Sequence, residues 1–456
     1  MFKGFFRIDK SYWLLVPMIL QATIPWLQFR IRIWYVFAFV LAWLACNFGQ
    51  IVASLSSRAS TAARWFILWY LLFNTIGYIY ALFGHGDYMG WGRVSIFANQ
   101  IVFFIAVHCT LEKRKFRELR FMAFLAMFGL LVAGLMGLRG VNVEGLEGAR
   151  NLVGGAIREY GSKGFDQQLS AFEFGLGDYR FVYMCSWLFP LFLMTMSLSH
   201  GKIVKAVMVV LAISMIVSIK TGGLGTATMV VVISFCMYCL WRVSRSSRVS
   251  LKIAGWILIV MFFIYATIPS VFSFLSAPIK AIANTMSEGS VKERFSLVAE
   301  SFSGHTYDNY AYYRAQLQLA SIKGFLNKPI FGNGQCVDDL FGGRSDIIGG
   351  HSMILDHLAY YGLVGLIPLL LMVISFGKYY AWMSHAYFGK KWLSLSTIFI
   401  ILFVFSSLAN PTFGIPHMMF VILPGLGYII AASNKNPIIM GGQPGRWSVI
   451  GCPPVC

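Results

Sequence analysis

Residues 351–377 read His351-Ser-Met-Ile-Leu-Asp356-His-Leu-Ala-Tyr-Tyr-Gly362-Leu-Val-Gly365-Leu-Ile-Pro368-Leu-Leu-Leu-Met-Val-Ile-Ser-Phe-Gly377. Asp356 is the one Asp, Glu, Lys or Arg among them. A helix needs about 20 largely apolar residues to cross a bilayer, and this run has them. Similar windows recur at roughly 11–28, 33–53, 65–84, 94–111, 121–138, 181–199, 203–220, 225–241, 253–269, 392–409 and 413–432. The whole chain of 456 residues is 58% apolar and 12% charged. Soluble domains carry about 25% charged residues, so a cytoplasmic globular enzyme is excluded, as is a disordered or fibrous chain. Uninterrupted apolar runs also exclude the alternating strands of a barrel. The expectation is an all-α polytopic integral membrane protein of about 12 transmembrane helices. The window at 11–28 is not a cleaved leader, because it contains Gln21 and Pro25, lacks a small-residue cleavage site and precedes a matching span.

The net charge of +19 is explained by topology. With the N-terminus inside, the cytoplasmic segments hold 21 Lys and Arg against three acids, and the outer segments 16 against 15. Lys113, Arg114, Lys115, Arg117 and Arg120 dominate the inner set. This is the positive-inside bias, and it removes the need for a nucleic-acid partner. The eight cysteines are scattered, with neither zinc-site spacing nor a dense disulfide framework.

The chain divides into residues 1–269 with spans 1–9, a large outer loop at 270–350, spans 10–12 at 351–432 and a cytoplasmic tail at 433–456. A second long outer loop covers 139–180. Loops of this length have a function or are disordered, and both contain aromatic residues and helix signals. Ser290 and Glu293 fit a capping box ahead of a helix at 291–300. A second short helix is expected at 309–323, capped by Asp308 and ended by Gly324. Ala311, Ala315, Leu319 and Ile322 form its apolar stripe, and Pro329 blocks any continuation.

Chemistry concentrates around 290–365. On an unbroken helix His351, Leu355, Leu358, Gly362 and Gly365 share one face, and the glycines admit a neighbouring helix closely. His351 then stands at the outer mouth of span 10, suited to act as a general base. The plainer alternative is a helix-start histidine bonded to its neighbours. Asp356, one turn deeper, is a candidate because ionisable groups at that depth are costly. Gly332 and Gly334, in Lys328-Pro-Ile-Phe-Gly332-Asn-Gly334, allow a tight turn or a close approach to a ligand. The outer arginines Arg139, Arg150, Arg158, Arg180, Arg294, Arg314 and Arg344 suit phosphate or carboxylate, unless each pairs with an outer acid.

Residues 292–366 resemble the membrane polysaccharide polymerases (the Wzy family) and the related O-antigen ligases. The resemblance rests on Glu293-Arg294-Phe295, on Arg314, on Asn327 through Gly334, and on the histidine block. Within that block His351-Ser352 is followed after nine residues by Gly362-Leu-Val-Gly365. Gly-Gly-His-Ser-x-Ile-Leu-Asp with the following Leu-Ala-x-Tyr-Gly looks more like the polymerases. The resemblance implies a metal-independent glycosyltransferase acting on polyprenyl-diphosphate-linked oligosaccharides, with no cofactor, at the outer face of the bacterial inner membrane. It implies catalytic roles for His351, Arg314 and Arg294. Arg150 carries over as a diphosphate or glycan contact, with Arg158 or Arg139 as alternatives in the same loop. Arg344, Asp356, Gly332 and Gly334 complete the candidate substrate-binding set. A chain-length regulator protein is an expected partner.

The chain has no Asp-x-Asp motif of the kind that holds a metal and nucleotide sugar, and Asp338-Asp339 lack the spacing. Two alternatives stand beside the polymerase. A ligase or O-oligosaccharyltransferase would differ in its acceptor. A flippase or other transporter would carry broken helices and ionisable groups near the bilayer midplane.

Overall fold

The computed structural model describes residues 8–24, 33–57, 60–83, 91–115, 117–136, 202–222, 280–285, 310–334 and 352–388, with isolated positions between them. Every regular element among them is helical. In chain order these include α1 Val16–Thr23, α2 Ile33–Ser56, α3 Thr61–Phe83, α4 Trp91–Glu112, α5 Arg117–Met136, α6 Lys202–Gly222, α7 Tyr310–Asn327 and α8 Met353–Phe388. Among the described residues three stretches are long and apolar enough to cross a membrane: Trp34–Ser56, Arg117–Met136 and Met353–Tyr380. The expected spans at 181–199, 225–241, 253–269, 392–409 and 413–432 lie outside the described residues but for isolated positions. So do the loop 139–180, the helix at 291–300 and the tail 433–456.

The helices are apolar on all sides, so burial and not hydropathy distinguishes their faces. On α2, Val36, Val40, Trp43, Asn47, Ile51 and Ser54 are buried at steps of three and four. Tyr35, Phe39, Phe48 and Val52 point outward, as a lipid-facing side requires. The first expected span departs from a single helix. A 3₁₀ turn, Lys10–Leu15, leads into α1, which ends at Thr23. Ile24 is extended because Pro25 follows, and a residue before proline avoids helical geometry. Thr23 lies so close to Gly129 that a Cβ there would come within 2.9 Å of the threonine Cβ.

Three connections gather at one end. The Asp9 carboxylate accepts from the Ser11 N–H at 3.1 Å and pairs with Lys115 at 3.3 Å. Lys115 also donates to Gln50 near the end of α2, at 3.0 Å. Nearby, Ser60 and Tyr379 contact the two ring nitrogens of His108, at 2.8 and 3.3 Å, tying the start of α3 to α4 and α8. The N-terminus, the α2–α3 turn and the α4–α5 turn therefore share a side, the one rich in Lys and Arg.

Candidate functional site at a broken helix

α8 is not one helix. Gly362 has φ 58° and ψ −153°, a conformation essentially reserved for glycine, and it divides residues 353–361 from 363–388. The two halves lie along α3 in opposite senses. His357 stacks on Phe73 and Tyr361 meets Tyr80, so the first half runs with α3. Beyond the break Phe376 meets Phe66 and Tyr379 reaches the Ser60 end, so the second half runs against it. At about 1.5 Å per residue, Gly362 lies roughly 25 Å from Tyr379, and Tyr80 roughly 30 Å from Ser60. The break thus sits at the end of the long half of α8 away from Tyr379, and the first half folds back beside that membrane-length helix.

A break of this kind strands backbone groups, and in an apolar layer each must find a partner. The turn 328–334 supplies them. Asn333 and Gly334 donate their N–H groups to the carbonyls of Ala359 and Tyr360, at 2.8 and 2.9 Å. Leu363 and Val364 donate to the carbonyls of Pro329 and Ile330, at 2.9 and 3.1 Å. The Asn333 side-chain amide donates to Gly324 and again to Ala359, at 2.7 and 3.1 Å. Both glycines at this junction are explained by proximity. A Cβ on Gly332, at φ +72°, would strike the Tyr360 carbonyl, and one on Gly362 would lie 2.6 Å from the Pro329 oxygen. Gly334 has φ +76° but open space around its Cβ position. Gly332 and Gly334 therefore use their freedom to bring this turn against protein backbone.

The other end of the half-helix is capped in a related way. Ser352 is the N-cap, and its Oγ accepts from the Leu355 N–H at 3.4 Å. Asp356 reaches back one turn, and its Oδ2 accepts from the Ser352 N–H at 3.1 Å. Its Oδ1 accepts from the Ser321 hydroxyl on α7 at 2.6 Å. Ser321, Ser352 and Asp356 are all buried. A carboxylate in the first turn of a helix also meets the positive end of its dipole. Asp356 thus bolts α7 to the half-helix and fixes the backbone that follows His351.

The pairing runs in register. Ser321 opposes Asp356, 35 residues on, and the Asn333 amide joins Gly324 to Ala359 at the same separation. α7 therefore runs parallel to the half-helix. Arg314 lies two turns before Ser321 along α7, toward the end from which the half-helix starts. Its backbone alone is described. His351, Arg150, Arg158, Arg294 and Arg344 lie outside the described residues, as do Arg139 and Arg180.

Several expectations change. The half-helix rises toward the break, so Asp356 lies nearer the break than the helix start does, and not one turn deeper below an outer mouth. The shared face of His351, Leu358, Gly362 and Gly365 assumed an unbroken helix, and the break at Gly362 removes that phase relation. A Cβ on Gly365 would meet the Tyr361 side chain, so the close neighbour is the other half of the same element. α7 extends to Asn327, one turn past Gly324, which is buried inside it. Its packing side is Leu317, Ser321 and Gly324, while Leu319 and Ile322 face outward. Small residues allow close backbone approach, and in an apolar surround the large side chains can be left outside. Ser321 and the bridging role of Asn333 were not found from sequence, because both depend on partners 26 to 35 residues away. No protein-family model matches the chain, and no curated protein matches it.

Proposed function

We propose that the chain is a polymerase joining polyprenyl-diphosphate-linked oligosaccharide repeat units into O-antigen, capsule or exopolysaccharide chains. In this reading it has twelve spans with both termini inside, and its site opens toward the outside of the bacterial inner membrane from the folded-back half-helix, whose start lies below the break. The observation that supports it is the Ser321–Asp356 bond, which couples the helix bearing Arg314 to the half-helix that begins just after His351. Those are two of the segments on which the resemblance rests.

The chemistry follows from the residue types. His351 takes the proton from an acceptor sugar hydroxyl. The oxygen attacks the anomeric carbon of the donor sugar, a new glycosidic bond forms, and the bond to diphosphate breaks. Arg314 and Arg294 offset the charge on the departing polyprenyl diphosphate. The leaving group is already on the donor, so neither nucleotide nor metal is needed in this scheme. A chain-length regulator is the expected protein partner.

The broken helix favours one other reading. Transporters build their sites from half-helices within the bilayer, and residues 353–361 have that form. A ligase or O-oligosaccharyltransferase shares the polymerase chemistry and differs in acceptor. Deleting the gene in its host separates the three. Loss of long chains with a single repeat left on the core is the polymerase result. Polymer retained on the carrier indicates a ligase. Intermediates held on the cytoplasmic side indicate a transporter and would overturn the proposal.

A further inference from the structure

We infer that residues 319–331 are embedded in the lipid layer, with a defined face against acyl chains, although they fall in a segment expected to be an aqueous loop. The stretch has only moderate hydropathy, with Lys323 and Lys328 in it, so composition does not mark it as membrane-inserted. Four observations do.

The first is level. α7 runs in register with residues 353–361, and those residues pack on Phe73, Gly77 and Tyr80 of α3. Residues 353–361 fold back from Gly362 beside residues 363–380, which belong to Met353–Tyr380, a stretch long and apolar enough to cross a membrane. The partner strip on α7 therefore lies inside the apolar layer.

The second is the outward face. Leu319, Ile322 and Leu326 form a stripe at steps of three and four, and Ile330 and Phe331 continue it onto the turn. Leu326 and Phe331 are each 66% exposed. Five large apolar side chains turned outward within 13 residues make a patch that water would not favour.

The third is continuity. Leu363, Ile367, Leu370 and Ile374 form the exposed stripe of the long half of α8. Val364 donates its N–H to the Ile330 carbonyl, so the two stripes adjoin at the break. The α7 face thus prolongs the lipid-facing side of a membrane helix.

The fourth is charge placement. Lys328 stands level with Gly362, at the boundary, and Lys323 is one to two turns below it. Both are exposed. Lysines at that depth bury their stems and lift the ammonium to the headgroups, where anionic phospholipid is a favourable partner.

The inference does not depend on which transfer or transport the protein performs. It is tested with the full-length chain carrying the photoreactive residue p-benzoylphenylalanine at Leu326, Phe331 or Leu370. Each variant is reconstituted in vesicles of phosphatidylethanolamine and phosphatidylglycerol, irradiated and digested. Leu370, on the long half of α8, is the positive control. The expected result is lipid-acyl adducts on the peptides carrying positions 326 and 331 at yields within about twofold of position 370. Adducts at 370 but none at 326 and 331 would overturn the inference, as would adducts at those positions to a second copy's peptide. If position 370 itself takes no lipid, the continuity with a lipid-facing helix fails and the inference with it. Because the three side chains are exposed, the bulky substitution leaves the packed faces intact. A thermal midpoint equal to wild type is required of each variant, and Ile322 replaces any position that does not meet it.

Discussion

The Ser321 hydroxyl donates to the Asp356 carboxylate at 2.6 Å, across the contact between α7 and the folded-back half of α8. Both residues are buried, and the other carboxylate oxygen caps the half-helix at Ser352. A hydrogen bond to a charged group contributes about 1.5–3 kcal/mol, although measured values inside membrane proteins are smaller.

Removing it should therefore loosen one contact and leave the rest. Ser321→Ala is expected to lower stability by about 1–2 kcal/mol, and Asp356→Ala by more, since it also uncaps Ser352. A double-mutant cycle in detergent, read by thermal or denaturant midpoints, should give a coupling of about 1 kcal/mol. Additive effects would mean that the two side chains do not interact.

The glycines at the break carry a sharper test. Gly362→Ala places a Cβ within 2.6 Å of the Pro329 oxygen at a φ of 58°. The expected loss is about 3 kcal/mol or more, with poor recovery of folded protein. Gly49→Ala is the comparison, because a Cβ there meets nothing within 4 Å and alanine favours a helix by about 1 kcal/mol. Equal recovery of the two variants would contradict a broken α8.

How much of this could be seen in sequence follows from range. Apolar runs and charge bias are local, so the helices at 33–56, 61–83, 91–112 and 202–222 were legible within a few residues. Pro329 was legible as a stop for α7, whereas the span expected at 11–28 ran through Pro25, and α1 in fact ends at Thr23. The break at Gly362 was not legible, because Gly-Leu-Val-Gly is equally at home in a continuous membrane helix. What makes it a break is Pro329 and Ile330, more than 30 residues earlier, supplying acceptors for Leu363 and Val364. Of the candidate site, Asp356 and the Gly332–Gly334 turn are the side chains and backbone that geometry brings together. They are joined to Ser321 and Asn333, whose roles no spacing announced.

That same packing changes what His357 can serve as. On an unbroken helix His357 would stand six residues on and about 120° round from His351, so that His357→Ala would be a mild control. In the fold the ring stacks on Phe73 and donates to the Met353 carbonyl at 2.9 Å. Its loss leaves a gap between α3 and the half-helix, and should cost about 1–3 kcal/mol of stability. Activity per folded molecule should stay within about tenfold of wild type. A loss beyond 100-fold in well-folded protein would place His357 in the chemistry.

Asp9 predicts an acid-side effect at the opposite end. Burial pushes its carboxyl up, but hydrogen bonds from Ser11 and Lys115 and the lysine's charge outweigh that and hold it below its usual value of 3.8. A carboxyl lowered in the folded state stabilises above its unfolded pKa, and that contribution is lost as pH falls through the folded value. Wild type should exceed Asp9→Asn in thermal midpoint at pH 7, and the gap should close only as pH falls through 3.8 and below it. A gap independent of pH would mean that the charge on Asp9 is not what holds the N-terminal turn to Lys115.

Arg314 separates a diphosphate clamp from a structural cation. Arg314→Lys retains the charge and loses the planar fork, and should reduce transfer by about 1–3 kcal/mol, or roughly ten- to hundredfold, with normal folding. Full activity in Arg314→Ala would make it a partner for an acid and nothing more.

The most direct measurement uses purified protein in vesicles supplied only with a polyprenyl-diphosphate-linked single repeat unit, with products resolved as a glycan ladder. Wild type should build chains of many repeats and release polyprenyl diphosphate without added nucleotide. His351→Ala should slow the ladder by about 10²–10⁴-fold while still binding donor, the range for losing a general base. No ladder from folded wild-type protein, or an undiminished one from His351→Ala, would contradict the account.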